Sequence, residues 1–126
     1  MITGLDHVHV ICGDVDGAVQ FFKDIFGGRE TSREIVRGFP MVRLDVKGAN
    51  IFFMGTEAGA GQLIPGKGSR GLDHIGFKVK DFDLTMEELR QKGIKFTMGP
   101  LVSPTGLKYA FIEGPEGIRI ELLERA

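Results

Sequence analysis

All three histidines of this 126-residue chain stand at the openings of two similar segments. His7 lies in Leu5-Asp6-His7-Val8, and His74 lies in Leu72-Asp73-His74-Ile75, 67 residues further on. His9 follows on the same strand face as His7, because strand side chains alternate with period two. Its counterpart in the second segment is Gly76. A lone strand histidine is usually structural. Two at equivalent places in a doubled fold are brought together near the symmetry axis. Two neutral imidazoles need an anion to balance a divalent cation, and the terminal run 118–124 offers Glu121. It alternates with Ile120 and Leu122, so it points away from the face they bury. A carboxylate there is costly unless it is paired or bound to metal. His7, His74 and Glu121 form a candidate facial triad for one divalent ion: Fe(II), Mn(II), Ni(II), Co(II) or Zn(II).

Other side chains could do chemistry around such a centre. His9 could serve as general base or hydrogen-bond donor. Tyr109 is the only phenol. A bulge in the turn at 114–117 would reverse its face, so its side of the sheet is open at this point. Arg119, two residues before Glu121, could anchor an acidic substrate or lie solvated at the rim. Phe39, Met41, Phe52 and Met54 could line an apolar substrate pocket or form core.

The elements that position these residues also repeat. Asp14 and Asp16 recur as Asp81 and Asp83. An apolar stripe follows each pair: Ala18, Val19, Phe22, Ile25 and Phe26, then Leu84, Met86, Leu89 and Ile94. Asp16 and Asp83 are read as helix N-caps, with Gly27 and Gly93 at the C-terminal ends. Strands are expected over 34–37, 41–47 and 50–54, cut by the turns at 38–40 and at Gly48, and over 95–98, 107–113 and 118–123. Aligning Gly48 with Gly117 sets Phe52 opposite Glu121. Each copy is therefore strand, helix, three strands. Neither has enough core to stand alone, so the two pair within one chain or between two.

The expected organisation is a first module at 1–54, a Gly-rich linker at 55–71 and a second module at 72–126. The linker holds six glycines in seventeen residues. Its Walker-like run from Gly61 to Lys67 lacks the following Ser or Thr. Its dinucleotide-like run from Gly66 to Gly71 leads into a strand, whereas both motifs need a helix. Both are read as accidental. The linker's length allows modules to exchange between the subunits of a homodimer.

Composition closes off other classes. Sixteen Lys and Arg against seventeen Asp and Glu leave a net charge of −1, so no polyanion grip and no nucleic-acid partner are expected. No run approaches the length of a membrane span. The single cysteine, Cys12, fits a reducing cytoplasm and a buried apolar role.

The Leu-Asp-His openings, the Asp-x-Asp helix starts, the run Gly114-Pro115-Glu116-Gly117 leading to Ile120-Glu121-Leu122, and the doubled plan resemble the vicinal-oxygen-chelate superfamily over the whole chain. That superfamily includes glyoxalase I, methylmalonyl-CoA epimerase, extradiol dioxygenases, fosfomycin-resistance thiol transferases and metal-free bleomycin-binding proteins. The resemblance implies an α+β fold of two βαβββ modules forming a curved, partly open mixed β-barrel. It places the family's ligands on His7, His74 and Glu121. Four-ligand members carry a Glu or Gln where this chain has Phe52. Two histidines and one glutamate are the set of the extradiol dioxygenases and fosfomycin enzymes. The implied activity is metal-dependent and acts on a small substrate bound through two neighbouring oxygens, leaning to dioxygenase chemistry. A glyoxalase- or epimerase-type lyase or isomerase and a metal-free binding protein are the alternatives.

Overall fold

The computed structural model describes residues 1, 3–61 and 72–126. The chain divides into two compact units, Met1–Gly61 and Gln62–Ala126. The first contains β1 (Val8–Cys12), α1 (Val15–Phe26), β2 (Arg29–Val36), β3 (Phe39–Val46) and β4 (Ala49–Gly55). The second contains β5 (Ile75–Lys78), α2 (Phe82–Gln91), β6 (Phe96–Val102), β7 (Lys108–Glu113) and β8 (Arg119–Glu124), with a short 3₁₀ turn at Pro115–Gly117. Each unit is a four-stranded mixed sheet, ordered β1-β4-β3-β2 or β5-β8-β7-β6. Among the described residues the strands pair as two sheets, and the doubled βαβββ plan stands. The dinucleotide-like run and most of the Walker-like run lie outside the described residues.

One face of each sheet packs on its helix. In the first unit Val42, Leu44, Ile51 and Phe53 meet Val15, Ala18, Val19 and Phe22, all buried. Burying a side chain such as Phe22 or Phe53 contributes about 1.5–3 kcal/mol. In the second unit Ala110, Ile112, Ile120 and Leu122 do the same with Phe82, Met86 and Leu89. Burial of Ile120 and Leu122 leaves Arg119, Glu121 and Leu123 on the other face, as alternation demands.

The helices start two residues earlier than the sequence suggests. Asp14, not Asp16, caps α1 by accepting from Gly17 N at 2.9 Å. Asp81, not Asp83, caps α2 through Leu84 N at 3.1 Å. A capping carboxylate must reach an amide three residues on, and these two do. Asp16 and Asp83 instead form ion pairs with Arg33 and Lys108. At the far end of α1, Gly27 takes the left-handed conformation (φ 67°). Gly28 N then donates to Phe22 O at 2.9 Å, closing a Schellman motif.

The β2–β3 turn also differs from expectation. It consists of Arg37 (φ 50°) and Gly38 (φ 85°), and Lys47 (φ 53°) and Gly48 (φ 93°) repeat it between β3 and β4. Two successive left-handed residues make the hairpin turn whose twist matches the strands. Phe39 and Pro40 therefore belong to β3. Pro40 lies beyond the last β3–β4 pair, where no ladder bond is asked of it.

Candidate functional site

The face of the second sheet turned away from α2 carries the candidate centre. Gly76 pairs with Glu121, which pairs with Phe111 on the other side. In the first unit the corresponding row is His9, Phe52 and Arg43. Phe52 and Glu121 therefore hold equivalent places. At Gly76 a Cβ would come within 3.6 Å of Glu121 Oε1, so glycine leaves space beside the carboxylate.

His74 stands just before β5, and its ring is held on three sides. Nδ1 is 2.9 Å from Asp73 Oδ2, and Nε2 is 3.3 Å from Glu121 Oε1. The ring meets Phe111 edge-on, with centroids 5.1 Å apart. Asp73 Oδ2 also accepts from Arg119 Nη1 at 2.6 Å. The Arg119 guanidinium lies 3.9 Å from the Phe111 ring centroid, a cation–π contact. A carboxylate paired with arginine can only accept, and this assigns the Nδ1 proton to His74. The Nε2 lone pair then faces a carboxylate oxygen. Two lone pairs at this distance require a positive centre between them, a metal ion or a proton carried by either group. An ion with bonds of about 2.1 Å to each donor spans ligand atoms roughly 3.0–3.4 Å apart. The observed 3.3 Å lies in that range, so this pair fits a divalent ion.

His7 repeats part of this arrangement in the first unit. Its Nδ1 is 2.7 Å from Asp6 Oδ2. Its ring stacks on Phe52, with centroids 4.1 Å apart and planes 14° from parallel. The first sheet thus offers His7 an aromatic face where the second offers His74 a carboxylate. His9 is exposed and lies 6.1 Å from His7 between ring centroids. Among the described residues no group of three or more His, Cys, Asp or Glu forms that could hold a metal ion. His74 and Glu121 come together within one unit, and His7 belongs to the other.

The remaining candidates divide. Tyr109 pairs with Leu123 and so shares the face of Glu121. It meets Phe111 edge-on at 6.3 Å. Arg119 also shares that face, but its guanidinium is engaged by Asp73 and Phe111. Met54 is buried opposite Met41. Phe52 is half-buried beneath Arg43, whose guanidinium is 5.1 Å from its centroid. Sequence reasoning missed Asp73 and Phe111 as site residues. The signal for Asp73 was its recurrence with the histidine. The signal for Phe111 was its register across the 3₁₀ turn.

The family model described as Glyoxalase/Bleomycin resistance protein/Dioxygenase superfamily matches residues 4–122. The chain belongs to that superfamily. Among curated relatives it is 28% identical to a probable lactoylglutathione lyase of Synechocystis sp., covering 94% of this chain and 92% of that protein. Among solved structures it resembles a glyoxylase/bleomycin resistance protein/dioxygenase domain from Frankia sp. EAN1pec, with TM-score 0.82, 22% identity, and 100% of both chains covered. It also resembles the fosfomycin resistance protein FosX of Listeria monocytogenes, crystallised with Mn(II) and sulfate. There the TM-score is 0.72 and identity 19%, over 100% of this chain and 95% of that one. At these identities both structures speak for the fold.

Proposed function

We propose that this protein is a mononuclear divalent-metal enzyme whose ligands are His7, His74 and Glu121. The observation that carries the reading is the 3.3 Å approach of His74 Nε2 to Glu121 Oε1, with Nδ1 anchored on Asp73. The modules are residues 1–54 and 72–126, joined by the Gly-rich connector. A bound divalent ion would act as a Lewis acid toward a small substrate presenting two neighbouring oxygens. The chain's residues do the rest. Asp73 holds the His74 ring in one orientation. Phe111 and Leu123 keep apolar surface beside Glu121, which limits water there. Tyr109 offers a hydroxyl on the same face for protonating a developing oxyanion. His9 takes a substrate proton as general base, and Phe52 and Met54 supply apolar contact.

Phe52, standing where a fourth ligand would be, cannot ligate. That count of two histidines and one glutamate leans the reading to an extradiol-type ring cleavage. The similarity to a probable lactoylglutathione lyase favours a second reading, a glyoxalase- or epimerase-type lyase or isomerase. Oxygen uptake by Fe(II)- and Mn(II)-loaded protein with a panel of catechols separates them. Uptake with ring-cleaved product supports the dioxygenase. No uptake from protein shown to hold metal overturns it and leaves the lyase or isomerase.

A further inference from the structure

We propose that Arg119 is a positioning residue of this centre, acting on His74 through Asp73; the proposal rests on the metal-centre reading above. Asp73 and His74 lie on the approach to β5, outside the strand ladder, and the Asp73 side chain is 48% exposed. A histidine on such a segment keeps one nitrogen aimed at Glu121 only if its ring is held. Arg119 holds the carboxylate that meets the ring from across the sheet. It sits on β8, two residues before Glu121, in a strand paired with both β5 and β7. Its Nη1 bonds Asp73 at 2.6 Å, while its Cζ rests 3.9 Å from the Phe111 centroid. Phe111 in turn meets the His74 ring. Thus the guanidinium fixes the carboxylate, the carboxylate fixes Nδ1–H, and Nε2 is left facing Glu121.

The first unit shows what the arrangement is like without the guanidinium. Asp6 and His7 pair in the same way. The repeat counterpart of Arg119 is Asn50, which donates to the main-chain oxygen of Asp6 at 3.2 Å and not to its carboxylate. Of the two Asp–His pairs, the one in the second unit has its carboxylate bonded by this guanidinium. A carboxylate accepting from a ligating histidine sets its tautomer and raises its basicity, and losing such a partner typically costs 10–100-fold in metal affinity. Arginine's fixed planar fork suits this task better than lysine's point charge.

The test uses the full chain and three variants: Arg119→Ala, Arg119→Lys and Asp73→Asn. Mn(II) affinity is read by competition with a chromophoric chelator, and the His74 ring nitrogens of metal-free protein are read by nitrogen-15 NMR. Asp73→Asn should weaken Mn(II) binding by roughly 10–100-fold, and Arg119→Ala, one contact further out, by a smaller factor. Both should also shift His74 from the Nδ1–H toward the Nε2–H tautomer, with Arg119→Lys intermediate. If Arg119→Ala proves unfolded, Arg119→Lys and Arg119→Gln carry both readouts. Wild-type affinity and an unchanged tautomer in the folded Arg119 variants overturn the proposal. If the wild type takes up no divalent ion, the metal-centre reading fails, and the nitrogen shifts alone then decide whether Arg119 governs the His74 ring.

Discussion

Phe52 and Glu121 occupy equivalent places in the two repeats and give the two histidines different neighbours. Phe52 stacks on His7, while Glu121 faces the Nε2 of His74. Alternation along 118–124 was enough to put Glu121 on the face away from Ile120 and Leu122. The partners of His74 were not legible in the same way. Asp73 binds a guanidinium 46 residues away, and only the β5–β8 pairing brings the two together. A side chain with a local partner gives a prediction at this scale. Arg33 donates to Glu30, with Oε1 at 3.1 Å, and to Asp16 at 3.0 Å. The hydrogen bond from Arg33 is the chief cause that holds the Glu30 carboxyl below its usual value of 4.5. A lowered folded-state value stabilises the fold above the unfolded one, and this contribution fades as pH falls through the folded value. Glu30→Gln should therefore lower the melting temperature slightly at pH 7, with the difference from the wild type shrinking as pH falls below the lowered carboxyl value. Thermal unfolding at pH 7 and at successively lower pH reads this. An equal loss throughout would assign Glu30 a packing role instead.

The elements were legible where apolar residues recur and blurred where they do not. The stripe from Ala18 to Phe26 marked α1, and Gly27 marked its end. β2 begins at Arg29, five residues before the expected strand, because Arg29-Glu30-Thr31-Ser32-Arg33 shows no apolar alternation. As an edge strand, β2 is held by its pairing with β3 and needs none. β6 runs on through Gly99 and Pro100 to Val102, with register shifts against β7 absorbing them. The Asp-x-Asp pairs offered two caps each, and local composition does not say which one reaches the free amides. The corrected assignment makes a measurable difference. Asp81→Ala removes the bond to Leu84 N and should cost about 1 kcal/mol. Asp83→Ala removes an exposed pair with Lys108 and should cost about 0.5 kcal/mol or less. Urea unfolding of the two variants checks the order, and a larger loss for Asp83→Ala would return the cap to that residue.

At the scale of the whole molecule, the 67-residue repeat was the strongest signal in the sequence. It gave the doubled βαβββ plan, and the superfamily match over residues 4–122 agrees with it. The reaction was far less legible. One fold hosts several chemistries, so the fold alone does not name the reaction. What every metal-dependent reading shares is His7, His74 and Glu121 acting on one ion, and this is best tested by counting metal. Protein purified without added metal, and then after exposure to Mn(II), is analysed for bound ion alongside His7→Ala, His74→Ala and Glu121→Ala. The expected result is about one ion per chain in the wild type and a loss of at least tenfold in affinity for each variant. A wild type that retains no ion after exposure, or folded variants that bind it as tightly as the wild type, would contradict it.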